Sequence, residues 1–409
     1  MKLLIAIPAL NEEESIAAIV KRCLASRSRI IANSPVTEVE ICVVSDGSTD
    51  RTVEIASQFT SQIRLIVFEK NRGYGAAIKE AWATSDAELL AFLDADGTCD
   101  PDFFAPLCQT LIGENVTVVL GSRLHGGSKM PLVRRIGNML FAILLVLFSS
   151  SKVRDSASGM RVVRRDCLDR LMPLPDGLDF TPAMSARCIL SNGLSIRELN
   201  MPYHERAGRS KLRVIRDGFR FLGIILRTAL LYRPSRAMGM LAVLMAGIAT
   251  VLMLRPTLYY LEHHSVLEWM IYRFVVSELL GTAAVVLFCM AHIARRIVRL
   301  TLAGSEPAQS MFDPVSAWME GPLFWPVPLL LLAVGGALVY RSWLELVNTG
   351  ATYEHWSRFI VMSFFVQTAL LLLITRAVGY ILKLLDERLA YLAPKVRETA
   401  VLAYTKGRL

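Results

Sequence analysis

The sequence predicts an α/β domain built on a doubly wound, mostly parallel sheet, followed by an interfacial helix and four transmembrane helices. Three observations carry that expectation. From residue 2 to about 120, short apolar runs alternate with helix-like runs, the rhythm of a parallel sheet with crossover helices. The apolar run Leu89-Leu90-Ala91-Phe92-Leu93 ends abruptly in Asp94-Ala95-Asp96-Gly97. The second half then holds four apolar segments, each long enough to span about 30 Å of hydrocarbon. The mean hydropathy of +0.43 is high for a soluble chain, and 409 residues allow two or three domains.

The first strand is Leu3 to Pro8, and Glu13 to about Ala25 reads as a helix whose acidic first turn suits the positive end of the helix dipole. Val39 to Val44 is the second strand. It ends at Ser45-Asp46-Gly47-Ser48-Thr49-Asp50, where Ser48 or Thr49 is placed to cap the next helix. Ile63 to Phe68 is the third strand, after which Asn71-Arg72-Gly73-Tyr74-Gly75 opens a helix through Trp82. That glycine pair lacks the third glycine of a dinucleotide fingerprint and follows the wrong strand for one. Leu89 to Leu93 is the fourth strand, apolar throughout as expected for burial on both faces. Asp100-Pro101 starts a helix with proline in its first turn, and Val116 to Leu120 is a fifth strand ending in Gly121-Ser122-Arg123.

Gly137 to Phe148 is apolar but too short to span a bilayer, and reads as a buried or membrane-resting helix. From Leu212 to Leu231, apolar and basic residues alternate at helical spacing. Phe219, Leu222, Ile225 and Leu226 are expected to face lipid while Arg216, Arg220 and Arg227 face headgroups. The expected spans are about 237–254, 274–294, 321–340 and 359–382, which divides the chain into a catalytic domain (1–210), interfacial helices (211–233) and a membrane domain (234–409). The segment before the first span, the link after the second (Arg295, Arg296, Arg299) and the tail (Lys383, Arg388, Lys395, Arg397, Lys406, Arg408) are basic, whereas the loops near His263-His264 and from Glu345 to Glu354 carry few cations. The positive-inside rule then places the catalytic domain and the C-terminus in the cytoplasm. No signal peptide is visible, since Leu3 to Ile7 is too short an apolar run. The net charge of +9 sits beside hydrophobic segments, which fits anionic lipid and not nucleic acid. Seven cysteines without CxxC spacing read as reduced thiols.

Open parallel sheets bind ligands beyond the carboxyl ends of their strands. Asp94 and Asp96 stand at such an end, and two carboxylates there repel each other unless a cation is near. A hard divalent ion with oxygen ligands suits them, and Mg²⁺ is usually shared between one or two carboxylates and substrate phosphates. Alone, Asp-Ala-Asp-Gly reads more readily as a polar turn. The stretches Pro8 to Glu12 and Val44 to Asp46 lie at the ends of the first two strands, where a base and ribose can dock. Arg123, Arg134, Arg206 and Lys211 follow the sheet and supply positive charge for phosphate, by fork or by point charge.

Taken in order, Ile7-Pro8-Ala9-Leu10-Asn11-Glu12, Ser45-Asp46-Gly47-Ser48-Thr49-Asp50, Asn71-Arg72-Gly73-Tyr74-Gly75, Asp94-Ala95-Asp96-Gly97, Gly121-Ser122-Arg123, Ser158-Gly159-Met160-Arg161 and Arg206 through Ser210-Lys211 resemble the motifs of GT-A fold, family 2 glycosyltransferases. Within that family the sequence is similar to the polyprenyl-phosphate hexose synthases typified by dolichyl-phosphate mannose synthase, over about residues 2–230. The resemblance implies an inverting, metal-dependent hexosyltransferase using Mg²⁺ or Mn²⁺. Its donor would be a nucleotide sugar of the GDP-mannose or UDP-glucose type, and its acceptor a dolichyl or undecaprenyl phosphate in the bilayer. Pro8, Leu10, Glu12, Val44 and Asp46 would hold the nucleotide, and Asp94, Ala95 and Asp96 the donor and metal. Arg123, Arg134, Arg206 and Lys211 would meet the phosphates, with Asp94, Asp96 and Arg123 the catalytic residues. The sequence departs from the pattern at Ser45, where a second acid is frequent, at Thr98, where mannose synthases commonly carry Gln, and at Leu10, often aromatic. A processive polysaccharide synthase is a competing reading, weakened because no Gln-x-x-Arg-Trp string occurs. A lipid-sugar flippase role for the four-span region is another.

Overall fold

A computed structural model describes residues 1–123, 153–191, 193–202, 214–301, 313–352 and 354–406, together with 139, 141, 143, 144, 147 and 148. The chain divides into two compact units, Met1–Tyr232 and Arg233–Leu409.

The first unit is built on a seven-stranded sheet. Its strands are β1 (Lys2–Ala9), β2 (Glu38–Asp46), β3 (Arg64–Phe68), β4 (Leu89–Leu93), β5 (Val118–Ser122), β6 (Met160–Arg164) and β7 (Ile196–Asn200). They lie in the order β3-β2-β1-β4-β6-β5-β7. The strands β3, β2, β1 and β4 run parallel; β6 is antiparallel to both β4 and β5, and β5 pairs in parallel with β7. The parallel half matches the sequence expectation. The antiparallel insertion of β6 between β4 and β5 does not appear in the sequence rhythm.

Alternation along the central strands makes two cores. Leu3, Ile5 and Ile7 of β1 and Leu89, Ala91 and Leu93 of β4 point to one face, where they meet α1 (Ile16–Ala32) and α4 (Phe104–Gly113). Leu4 and Ala6 with Leu90 and Phe92 point to the other, against α3 (Tyr74–Ala83) and the helix Phe180–Leu190. With side chains buried on both faces, β4 has five apolar residues in succession. The second core is tied by three aromatics. Trp82 and Phe92 have centroids 6.2 Å apart, Trp82 and Phe180 5.7 Å, and Phe92 and Phe180 5.8 Å.

Local expectations shift in three places. The first helix starts at Ile16 and continues to Ala32, past the expected end at Ala25, because Ile30 is also buried on the sheet. Neither Ser48 nor Thr49 caps the helix α2 (Thr52–Ser57); the Asp50 carboxylate accepts from the Thr52 amide and hydroxyl instead. The helix Val214–Tyr232 has exposed Phe219 and Leu226 as expected, but Ile225 is fully buried together with Phe221 and Ala229. Ile225 therefore faces protein, not lipid, because this helix packs along Phe180–Leu190. Of the expected helix at 137–148, the positions 139, 141, 143, 144, 147 and 148 are helical and the rest lie outside the described residues.

Among its described residues the second unit contains four helices long and apolar enough to cross a membrane: Pro234–His263, Glu268–Thr301, Pro322–Thr349 and Trp356–Leu389. Each contains most or all of an expected span. The first helix ends at His264 and the third at Gly350, both left-handed, and each terminal amide bonds back to a carbonyl of the last turn. The Ser277 hydroxyl donates to the Ala249 carbonyl at 3.2 Å, tying the second helix to the first, and Thr282 reaches Gln367 on the fourth at 3.2 Å.

The aromatic triad has a direct test. Trp82→Ala removes the ring that touches both Phe92 and Phe180, for a cost of about 3–5 kcal/mol. Hydrogen exchange of the β4 amides, read by mass spectrometry, should accelerate strongly, while the membrane spans keep their protection.

Candidate functional site

The carboxyl ends of β1, β2 and β4 meet on one edge of the sheet. Register places Pro8 beside Val44 and Ala9 beside Ser45, and β4 runs alongside β1. The loops leaving these ends are cross-tied. The Asn11 amide donates to Ser48 Oγ at 3.1 Å, the Thr49 amide to Asn11 Oδ1 at 2.8 Å, and the Glu12 amide to Thr52 Oγ1 at 2.8 Å. Glu12 also accepts from Ser15 Oγ at 3.1 Å. Val44 is fully buried in the core, so its side chain is packing and only its backbone lies at the edge. Pro8 is likewise buried, and Leu10 is half-buried at the end of β1.

Asp46 has a role that the sequence did not reveal. Its Oδ1 accepts from the Arg72 amide at 2.6 Å and its Oδ2 from the Gly73 amide at 2.9 Å. This carboxylate fastens the end of β2 to the loop that opens α3. The glycines of that loop answer to chain crossing. A Cβ on Gly73 would meet the Asp176 carbonyl oxygen at 2.4 Å, and one on Gly75 would meet the Pro175 oxygen at 2.3 Å. The first amides of α3 are taken by the same segment, since Gly75 and Ala76 both donate to the Asp176 carbonyl, at 2.6 and 3.1 Å.

Beyond β4, each acid is oriented by a neighbour. Tyr74 Oη donates to Asp94 Oδ1 at 2.6 Å. Burial, with the charge of Asp94 beside it, pushes the Tyr74 phenol well above its ordinary pKa, so it remains a donor. Asp96 is 8% exposed, and its Oδ1 accepts from the Thr98 hydroxyl at 2.7 Å and the Thr98 amide at 3.1 Å. The turn carries Gly97 at φ +74°, and the Arg22 guanidinium of α1 clamps it by donating to the Gly97 and Cys99 carbonyls at 3.0 and 3.1 Å. Among the described residues, no group of three or more His, Cys, Asp or Glu side chains is placed to cage a metal.

The third side of the site is the segment 155–161. A Cβ on Gly159 would fall 1.9 Å from Asp94 Oδ2, so only glycine lets this backbone pass the carboxylate. Arg161 holds the segment from within the protein. It is fully buried and donates to the Ser158 and Ser156 carbonyls at 3.1 and 2.7 Å and to Ser185 Oγ at 2.9 Å. Burial pulls its pKa down to about 10, which leaves it charged at neutral pH.

Arg123, expected to meet phosphate, is paired here with a carboxylate. Its Nε donates to Asp155 Oδ2 and its Nη2 to Asp155 Oδ1, both at 2.8 Å, and Nη2 also reaches the Ala157 carbonyl at 2.9 Å. Here it anchors the segment, because the fork of a guanidinium is matched by a buried carboxylate. Asp155 is completely buried. Burial pushes its pKa up, but the charge and hydrogen bonds of Arg123 outweigh that and hold it below the usual carboxylate range. Arg134, Arg206 and Lys211 lie outside the described residues.

The structure thus brings together Asp94, Ala95, Asp96 and the strand ends. It also adds Tyr74, Thr98, Gly159, Arg161, Arg22 and Asp155. Tyr74, Gly159 and Arg161 stood inside motifs noted in the sequence; Arg22 and Asp155 had no signal there.

Residues 4–172 match the family described as "Glycosyl transferase family 2". A dolichyl-phosphate hexose transferase of Haloferax volcanii is 34% identical over 208 residues, covering 49% of this chain and 82% of that protein. A low-salt glycan biosynthesis hexosyltransferase of the same organism is 31% identical over 55% of this chain and 53% of its own length. A dolichyl-phosphate beta-glucosyltransferase of Trichomonas vaginalis is 31% identical over 41% of this chain and 53% of its own. The chain therefore spans about half the length of the last two relatives. It belongs to glycosyltransferase family 2, a family of enzymes. Within that family its relatives include proteins named for hexose transfer to dolichyl phosphate.

Two outcomes test the site. Gly159→Ala should fold but displace the Asp94 carboxylate, cutting sugar transfer by orders of magnitude while hydrogen exchange of β1 stays native. Arg123→Met leaves Asp155 buried without its partner and should cost on the order of 3–5 kcal/mol. The pH sign follows from the depressed pKa. In the native chain this stabilisation is fully present above the ordinary carboxylate pKa and is lost as pH falls through the lower folded value. In Arg123→Met the burial of Asp155 is no longer outweighed by the guanidinium, so the sign reverses: the loss of protection at 153–164 should be greatest at neutral pH and should shrink on acidification, where the native chain instead weakens.

Proposed function

We propose that this enzyme transfers a hexose, with inversion, from a nucleoside-diphosphate sugar to a polyprenyl phosphate. The observation that carries the reading is the pair Asp94 and Asp96 at the carboxyl end of β4, each oriented by its own hydroxyl donor, on the edge shared with β1 and β2.

The residues fit a divalent ion such as Mg²⁺ or Mn²⁺. Two carboxylates one residue apart, without a fuller protein cage among the described residues, suit a hard ion that takes its remaining ligands from substrate phosphates and water. Asp94 and Asp96 would hold it, and when bound it neutralises charge on the departing diphosphate. The chain does the rest by positioning. Tyr74 and Gly159 fix one carboxylate, Thr98 and the Arg22-clamped turn fix the other, and the cross-tied ends of β1 and β2 give the nucleoside a rigid floor. Pro8, Leu10, Glu12, Val44 and Asp46 contribute to that floor through backbone and loop shape as much as through side chains.

A lipid monophosphate is largely ionised at neutral pH, since its second pKa is about 6. It is already a nucleophile, so catalysis needs no general base and rests on alignment and on stabilising the leaving group. Attack on the anomeric carbon from the face opposite the diphosphate inverts that centre. Arg134, Arg206 and Lys211 supply the positive charge this acceptor requires. Relatives named for dolichyl-phosphate hexose transfer support the acceptor class, and the four apolar helices support a membrane setting. Basic residues at one end of the spans favour a cytoplasmic catalytic domain and C-terminus.

Asp96→Ala should abolish transfer of labelled sugar from a nucleotide donor into extractable prenyl lipid, and full activity in that variant would refute the assignment. Mass analysis of the lipid formed by the native chain from a mixture of GDP- and UDP-sugars identifies the sugar.

A further inference from the structure

Within the first unit, the turn at 175–180 is gripped from two sides. On one side is α3. Its Gly75 and Ala76 amides donate to the Asp176 carbonyl at 2.6 and 3.1 Å, and Lys79 reaches the Asp176 carboxylate at 2.5 Å and the Leu174 carbonyl at 2.8 Å. On the other side is the helix Val214–Tyr232, which packs along Phe180–Leu190. Its Arg220 pairs with Asp179 at 3.8 Å. The same guanidinium passes over Gly177, where a Cβ would stand 3.1 Å from Nη1.

Helical spacing assigns Arg220 to the headgroups together with Arg216 and Arg227. The structure separates it from them. All three are exposed, but of the three only Arg220 meets an acid among the described residues. It stands between exposed Phe219 and buried Phe221, on the flank where the outward face of the helix gives way to the face packed on protein. The turn it touches leads to the acid pair by two routes. Tyr74, at the start of α3, donates to Asp94 Oδ1 at 2.6 Å. Phe180, fully buried, lies 5.8 Å from the ring of Phe92, two residues before Asp94 on β4. The Asp176 carbonyl accepts both α3 amides, so a shift of the turn carries the first residues of α3, and the phenol of Tyr74, with it.

We infer that Arg220 is a positioning residue for the donor site: from the helix Val214–Tyr232 it steadies the turn at 175–180, and through Tyr74 it sets the orientation of the Asp94 carboxylate. The inference rests on the reading of Asp94 and Asp96 as the seat of the donor diphosphate and its metal. A divalent ion such as Mg²⁺ demands near-ideal ligand geometry, so a small rotation of one carboxylate is felt in its affinity. The effect is modest in size, because an exposed ion pair changes an equilibrium by about fivefold at most. It is also local, since Arg220 is exposed and its loss removes nothing from either core. The helix read as resting on the bilayer is then also a strut of the donor site.

The test measures binding of UDP and of GDP, each with Mn²⁺, to the full chain in nanodiscs by calorimetry, with no prenyl lipid present. Arg220→Gln should weaken the nucleotide that binds by about two- to fivefold, the size of an exposed ion pair. Arg220→Lys, which keeps a charge beside Asp179, should restore most of that affinity, whereas Arg216→Gln and Arg227→Gln should leave it unchanged. A double-mutant cycle decides the route. In a Tyr74→Phe background, where no phenol reaches Asp94, Arg220→Gln should have no further effect. Hydrogen exchange at Gly75 and Ala76 should accelerate in Arg220→Gln while β1 and β2 keep native rates. Equal weakening in both backgrounds, unchanged binding, unchanged exchange at those two amides, or an effect confined to KM for prenyl phosphate (the mark of a headgroup cation) overturns the proposal. Sugar transfer by the native chain is followed in the same discs. Transfer with nucleotide binding indifferent to Arg220 removes this inference alone. Nucleotide binding that depends on Arg220 without transfer to any prenyl phosphate removes the proposed acceptor and supports the positioning role. A native chain that binds neither nucleotide removes the donor site on which both stand.

Discussion

The site depends on one close approach, that of the Gly159 backbone to the Asp94 carboxylate. There is no room there for even a methyl group. Such proximity between a backbone and a charged oxygen persists only when the backbone is held from behind. Arg161 does this from within the core, bonding two carbonyls of the segment, and Arg123 does it from the side through Asp155. Both cations are costly to bury, and both are matched by hydrogen bonds that satisfy them. The segment is therefore rigid where it faces Asp94, and with Tyr74 opposite, the carboxylate has little freedom to turn.

The parallel half of the sheet was legible because its signals are local. Unbroken apolar runs, acidic or glycine-rich ends and helical intervals place β1 to β4 within a residue or two. The antiparallel β6 was not, because Met160–Arg164 has an arginine at its second and last positions and looks like surface. Arginine is almost never fully buried unless paired, and here its partners are carbonyls of a loop several residues earlier and a serine on the helix Phe180–Leu190. No reading of spacing reveals such partners. Arg123 illustrates the same limit from the other side. A guanidinium suits phosphate and carboxylate equally, and only the fold shows that Asp155 is the group it meets.

Asp46 and the Gly73-Tyr74-Gly75 loop show how motif residues serve geometry before chemistry. A carboxylate at a strand end invites a ligand, yet both oxygens of Asp46 receive amides from the next loop. A glycine pair before a helix invites a phosphate, yet the amides at the start of α3 donate to the Asp176 carbonyl. These contacts join the ends of β2 and β3 and the segment at Asp176 into one platform. Ligand recognition then falls to the surface that the platform presents, which explains why these motifs taken singly were weak signals and taken in order were strong ones.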